Sequence, residues 1–281
     1  MELIFTKMVK EAQMIYKENG GTLWSDAISK DMTKIKVAFK IIDDNESVPR
    51  NHQFVKCHMI FDVKIESFRR KARLIAGGKM TKASAAVTYA SVVSRETVII
   101  SLNIAALNDL QVKRGDVLNA YITAPVIELI WTTLGPNFGD DQDKTEMFVR
   151  ALYGLKSSGA DFSKNLGECM SGLGYKPCLA DPDLCLKPEV RDDGVDYCSY
   201  ILCYVDYILV VHHNIRSALD RIYQFMKLKE GSVDNPDIYL GAKLKKVQMS
   251  NDVWCWSLSP SKYIQEAVRN RQNHLRENYS G

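Results

Sequence analysis

Two aspartates stand at positions where a carboxylate can do chemistry, Asp116 and Asp206. Asp206 lies within Ile201-Leu-Cys-Tyr-Val-Asp206-Tyr-Ile-Leu-Val-Val211, two apolar, β-prone runs with one carboxylate between them. The pattern predicts a strand, a tight turn and a returning strand, with Asp206 at the tip. An ionised Asp amid so much apolar sequence is costly unless it is paired, hydrated or metal-bound. Asp116 ends Gln111-Val-Lys-Arg-Gly-Asp116-Val117, which reads as another strand. Two adjacent strands would bring the two carboxylates together. Two-metal phosphoryl transfer needs acidic ligands converging on ions about 4 Å apart. Magnesium takes such oxygen ligands together with substrate phosphates. Taken singly, each Asp also reads as a turn or strand-end residue.

A third acidic group, Phe138-Gly-Asp140-Asp141, has adjacent carboxylates but no apolar strands to hold them. Its neighbours Gln142-Asp143-Lys144 predict a polar loop, so it is set aside as a metal site. From Asp62 to Lys82 the basic residues are Lys64, Arg69, Arg70, Lys71, Arg73, Lys79 and Lys82, against the acids Asp62 and Glu66. Such a local cationic surface can hold phosphates. A solvated strand-and-turn face would carry the same charges.

The elements that must position these residues follow from periodicity and punctuation. The first 50 residues read as amphipathic helix, then turn at Asp43-Asp-Asn-Glu46. Phe54 to Ala76 alternates, predicting two strands that carry the basic residues, and Gly77-Gly78 marks a turn. Ser94 to Leu110 predicts a helix with Ser94 as N-cap, Glu96 in the first turn, and Val98, Ile99, Leu102, Ala105 and Ala106 on one face. Ser158 to Leu173 predicts a second amphipathic helix, and Asn214 to Leu228 a third. Strands are expected near Tyr239 to Val247 and Val253 to Leu258. A final helix from Ser261 becomes basic at Arg269, Arg271 and Arg276. This order predicts an α+β fold with helices packed on one face of a sheet.

At 281 residues, 46% apolar and 25% charged, the chain allows one large domain or two to three lobes. The net charge of +3 implies little. Seven cysteines (Cys57, Cys169, Cys178, Cys185, Cys198, Cys203 and Cys255) form no Cys-x-x-Cys pair and have no His at zinc-finger spacing. That argues for free thiols in a reducing compartment and against structural zinc. No window is long and apolar enough to span a bilayer. Met1 to Lys7 is too short and too quickly polar for a signal peptide. The expectation is a soluble, intracellular protein, cytoplasmic or nuclear, with no membrane partner.

Six blocks, taken with the hairpin, resemble a known family. They are Lys71-Ala-Arg-Leu-Ile-Ala-Gly-Gly78, Tyr89-Ala-Ser-Val-Val-Ser-Arg95, Asp116-Val-Leu-Asn-Ala-Tyr-Ile-Thr-Ala-Pro125, Leu152-Tyr-Gly-Leu-Lys-Ser-Ser-Gly159, Ala180-Asp-Pro-Asp183 and Tyr239-Leu-Gly241. In order and separation they are similar to the reverse transcriptase region of copia-type LTR retrotransposon polyproteins. The similarity runs from about Trp24 to the C-terminus.

The resemblance implies a right-hand polymerase fold, α+β, with an antiparallel palm sheet backed by helices. After an N-terminal extension (1–23), the fingers would be 24–91 and 123–158, the palm 92–122 and 159–238, and a partial thumb 239–281. It implies RNA-directed DNA synthesis by two-metal nucleotidyl transfer, with Mg²⁺ or Mn²⁺, an RNA template, a DNA primer duplex and dNTP. Asp116 and Asp206 would be catalytic carboxylates holding metal, with the Val117 carbonyl as a further ligand. Arg70, Lys71 and Arg73 would grip the triphosphate or template backbone as charge-assisted donors. Tyr121 falls at the family's aromatic steric gate against a 2′-hydroxyl, and equally reads as a core aromatic at a strand–helix junction. Gly154 would let the backbone approach the nascent base pair closely, and also reads as a turn glycine. Tyr239-Leu240-Gly241 resembles the primer grip.

The chain departs from the family at one position. The family's hairpin is Tyr-x-Asp-Asp, and here Tyr207 stands at the second Asp. A phenol is neutral near pH 7, with an ordinary pKa of about 10, and it is bulkier than a carboxylate. Metal binding is therefore expected to be weakened and polymerisation severely impaired. The alternatives are a non-catalytic nucleic-acid-binding protein that keeps the polymerase fold, or an inactive transposon relic.

Overall fold

The computed structural model describes residues 22–42, 46–64, 68–81, 88–239 and 242–279. Helix α1 (Leu23–Ile35) precedes β1 (Phe39–Ile41), the short β2 (Gln53–Phe54), β3 (Cys57–Lys64) and β4 (Arg69–Ala76). Then come α2 (Arg95–Leu107), β5 (Gln111–Asp116), the single turn α3 (Ala120–Thr123), β6 (Ile130–Thr133) and β7 (Thr145–Phe148). They are followed by α4 (Ser158–Gly172), β8 (Lys176–Pro177), β9 (Leu184–Val190), β10 (Asp196–Tyr204), β11 (Tyr207–His212) and α5 (Ile215–Phe225). The last elements are β12 (Ile238–Tyr239), β13 (Ala242–Gln248), β14 (Trp254–Ser259) and α6 (Ser261–Tyr279). The described residues fall into two compact units, divided between 90 and 91, 118 and 119, and 166 and 167.

The unit built from residues up to 90 and from 119–166 contains two sheets. β3 and β4 form an antiparallel pair, and a four-stranded sheet runs β1-β7-β6-β2, with β2 parallel to β6. Met32 and Ile35 of α1 pack with Val55, Leu74, Ile130, Phe148 and Leu152 in one core. Asp31 fixes α1 to β4 by accepting the Leu74 N–H at 2.7 Å.

The second unit is built on an antiparallel sheet ordered β5-β11-β10-β9-β8, with a separate sheet β12-β13-β14. Ile201, Leu202, Ile208, Leu209, Val210 and Val211 are all 0% exposed, so both faces of the larger sheet are covered. Tyr200, Leu202, Leu209 and Val211 pack on Val98, Leu102 and Ala105 of α2. On the opposite face, α5 reaches the sheet through Arg221, whose Nη1 donates to Glu189 Oε1 at 2.9 Å. The expected single helical layer is thus corrected to two. The physical reason lies in the Ile208–Val211 run, which lacks the alternation that one solvated face would impose.

The α2 boundary matches its signals. Ser94 Oγ accepts the Thr97 N–H at 3.1 Å. Asp181, from the Ala180–Asp183 block, accepts the Ser94 N–H at 2.9 Å and so ties the helix start to the approach to β9. The single strand expected from Tyr239 to Val247 is instead a reversal, because Tyr239 pairs antiparallel with Ala242.

Candidate active site

The ladder between β10 and β11 ends at Tyr204 paired with Tyr207, leaving Val205 and Asp206 as a two-residue turn. Short hairpin loops of this kind need a left-handed first residue. Val205 supplies it at φ +52°, a conformation unfavourable for a β-branched residue. Asp206 is therefore at the tip, as its flanking runs predict. On the other side of β11, Tyr207 pairs with Asp116 of β5. The Val117 N–H then donates to the Asp206 carbonyl at 2.7 Å, extending the ladder by one rung. Facing residues in a ladder project to the same side. Tyr204, Tyr207 and Asp116 therefore form a row across three strands, on the face of Leu202, Leu209 and Val112.

Tyr207 is 39% exposed. Burial, and then the charges of Asp116 and Asp206, push its phenol above the ordinary value. It remains a neutral group between two carboxylates at physiological pH.

The outer edge of β5 is covered by residues 227–234. The Leu118 N–H donates to the Lys227 carbonyl at 2.8 Å, and the Lys229 N–H to the Asp116 carbonyl at 2.7 Å. The Ser232 hydroxyl accepts the Asp116 N–H at 3.0 Å and donates to the Lys229 carbonyl at 2.7 Å. Leu228 packs over Gly115, where a Cβ would meet its Cδ1 at 3.0 Å. Through this clamp the Lys229 ammonium comes within 3.6 Å of Asp116 Oδ2. Lys229 and Ser232 were not legible as site residues, since the covering loop has no periodicity and its contacts are non-local.

Asp116, Val117 and Asp206 are neighbours along the backbone within one unit. A metal pair asks for converging oxygen ligands. Among the described residues no group of three or more His, Cys, Asp or Glu side chains is gathered to hold a metal ion. Tyr207 presents a phenol across from Asp116, and Lys229 already lies against that carboxylate. The donor set does not fit two metals.

Arg70, Lys71, Arg73, Tyr121 and Gly154 lie in the other unit. Strand parity separates the three cations. Arg70 shares the face of the buried Ala72 and Leu74, and its Nη1 donates to the Phe68 carbonyl at 3.2 Å. Lys71 and Arg73 project from the opposite face. The Arg73 guanidinium lies 5.3 Å from the centre of the Tyr153 ring, which is 4.6 Å from the Tyr121 ring. Tyr121 also meets Phe162 edge-on at 6.1 Å. Tyr153, which the sequence did not single out, thus connects Arg73 to Tyr121. Gly154, at φ +93°, makes its close approach to β4, where a Cβ would strike the Ala76 carbonyl oxygen. Tyr239 is buried, with its ring 6.4 Å from that of Tyr204. Leu240 and Gly241 lie outside the described residues. Phe138–Asp141 lies in the 3₁₀ segment Pro136–Asp141, which is broken by a non-helical Gly139, and Asp141 pairs with Lys144 at 2.7 Å.

Residues 39–275 match the family model described as reverse transcriptase (RNA-dependent DNA polymerase). The chain is 26% identical over 211 residues to the retrovirus-related Pol polyprotein from transposon RE2 of Arabidopsis thaliana, covering 71% of this chain and 14% of that one. It is 24% identical over 236 residues to the corresponding polyprotein from transposon TNT 1-94 of Nicotiana tabacum, covering 79% and 17%. The chain therefore spans less than a fifth of the length of these curated relatives. Among the described residues no helix is long and apolar enough to cross a membrane.

Proposed function

The chain belongs to the reverse transcriptase family, and from that premise we propose that it is a copia-type retrotransposon polymerase domain whose ancestral RNA-directed DNA synthesis is severely impaired. The observation that carries the impairment is Tyr207 facing Asp116. In nucleotidyl transfer the primer 3′-hydroxyl loses its proton, its oxygen bonds to the α-phosphorus of dNTP, and pyrophosphate leaves. Asp116 and Asp206 would be the residues to hold Mg²⁺ or Mn²⁺, which would supply stabilisation of the developing charge, and they offer two carboxylates rather than three.

The fingers, palm and partial-thumb assignment belongs to the same reading. The division of the chain near residues 90, 119 and 166 supports it. The shared face of Lys71 and Arg73 favours them over Arg70 as phosphate contacts for template or nucleotide. Tyr121, braced by Tyr153 and Phe162, suits a rigid gate beneath a sugar. Tyr239 would contribute to the primer grip. The cations of β4 also favour a second reading, a non-catalytic protein that binds a primer–template duplex.

Primer extension on poly-rA/oligo-dT with Mg²⁺ or Mn²⁺ tests the proposal. The expected result is synthesis no greater than that of an Asp116→Asn variant, and robust extension by the unaltered chain would overturn the impairment. Duplex affinity measured against salt tests the second reading. Phosphate contacts make affinity fall steeply as salt rises, so a flat response would remove it.

A further inference from the structure

We infer that Lys229 is the built-in counter-ion of Asp116 and competes with divalent cations for that carboxylate. The inference rests on the reading of Asp116 as the carboxylate that would receive the ion. Lys229 is 51% exposed on its side chain, and an exposed Lys–Asp contact is ordinarily a weak and shifting one. This one differs because the backbone beneath it is fixed. Asp116 and Lys229 are joined by the 2.7 Å bond between the Lys229 N–H and the Asp116 carbonyl. The Ser232 hydroxyl ties them again, accepting from the Asp116 N–H and donating to the Lys229 carbonyl. Ser232 also donates its own N–H to that carbonyl at 3.0 Å. The ammonium therefore starts from a fixed Cα beside Asp116, and only its flexible stem must be ordered to make the contact.

The two sides of Asp116 are then both altered for metal binding. Across the ladder stands a neutral phenol, and from the covering loop comes a positive charge. An incoming divalent ion must displace Lys229 from Oδ2 or share the carboxylate with it against like-charge repulsion. Tyr207 removes a ligand, whereas Lys229 competes for one that remains. Because the competition is electrostatic and partly solvent-exposed, salt must weaken it.

Manganese binding to the whole chain, followed at low ionic strength by the paramagnetic resonance of free Mn²⁺, separates the effects. Lys229→Met is expected to bind Mn²⁺ about two- to fivefold more tightly than the unaltered chain, the size of an exposed charge-pair effect. Lys229→Arg keeps the charge and should leave affinity unchanged. Asp116→Asn should bind more weakly. Added KCl should shrink the Lys229→Met gain. Thermal melts check that each variant is folded, and Lys229→Arg supplies a second measurement at the same position. If Lys229→Met binds no more tightly while Asp116→Asn weakens binding, Asp116 holds the ion and the counter-ion role is overturned. If Asp116→Asn binds as the unaltered chain does, the ion is held elsewhere, and the reading of Asp116 fails together with the inference.

Discussion

Tyr207 faces Asp116 directly in the β5–β11 ladder, one rung before the 2.7 Å bond from the Val117 N–H to the Asp206 carbonyl. Facing side chains in such a pair have Cβ atoms about 5 Å apart. A carboxylate at 207 could share an ion with Asp116 where a phenol cannot. Tyr207→Asp is therefore expected to raise primer extension roughly tenfold or more. Tyr207→Phe should leave it at baseline, because what is missing is charge rather than a hydroxyl. Asp116→Asn placed on Tyr207→Asp should return activity to baseline. A Tyr207→Asp variant no more active than the unaltered chain would put the defect elsewhere.

The hairpin tip stores strain that can be relieved. A left-handed conformation costs a non-glycine residue roughly 1–2 kcal/mol, and Val205 holds it at φ +52°. Val205→Gly removes that cost but adds about 0.5–1 kcal/mol of unfolded-chain freedom. The expected net is a stabilisation of about 0.5–1 kcal/mol, seen as a higher urea midpoint at unchanged slope. A lower midpoint would contradict it.

Gly154 presents the opposite case. Its φ is +93°, and a Cβ there would collide with the Ala76 carbonyl oxygen, which belongs to the β4 backbone and cannot swing aside. The Ala76 N–H donates to the Tyr153 carbonyl at 2.8 Å and holds the two segments together. Gly154→Ala is expected to cost about 2–4 kcal/mol. Gly139, also at positive φ (+64°) but with open space around its Cβ position, is the control. Gly139→Ala should carry only the conformational cost, about 1–2 kcal/mol. Equal urea midpoints for the two variants would sink the steric argument.

These sites show why some of the structure was legible in the sequence and some was not. The Asp206 hairpin announced itself because two apolar runs flank one carboxylate, and α2 because Ser94, Glu96 and its apolar face agree. Both are local signals. β6, β7 and β9 escaped because their pairing partners are distant in sequence and their residues show no clean alternation. In β9, Pro188 and the polar Lys187 and Glu189 conceal a strand that pairs with β10 from Asp196 to Leu202. Asp116 and Asp206 could be joined only through a resemblance, since no local rule makes β5 the neighbour of β11. Lys229 was invisible for the same reason, because its significance lies in a loop folding back on β5. The close approach expected of Gly154 is to the nascent base pair, whereas the one it makes is to Ala76 of β4, a partner too distant in sequence for any local rule to name.

Glu146 offers a test of stability that is independent of catalysis. It is buried on β7, opposite Thr132 of β6, and its Oε2 has no hydrogen-bond partner among the described residues. Burial first, and then the Asp141 charge, raise its carboxyl from 4.5 to about 7. In the unfolded chain the proton leaves near 4.5, whereas the folded protein keeps it until about pH 7. The contribution of this group to stability is thus full below pH 4.5 and is lost as pH rises towards 7. Glu146→Gln keeps the shape and removes the titration. At pH 7.5 the variant should be more stable than the unaltered chain by on the order of 1–2 kcal/mol, and at pH 4 the difference should vanish. Urea unfolding at pH 4, 5.5 and 7.5 measures it, and a difference that does not change with pH would show that Glu146 ionises in the folded protein as it does in the unfolded chain.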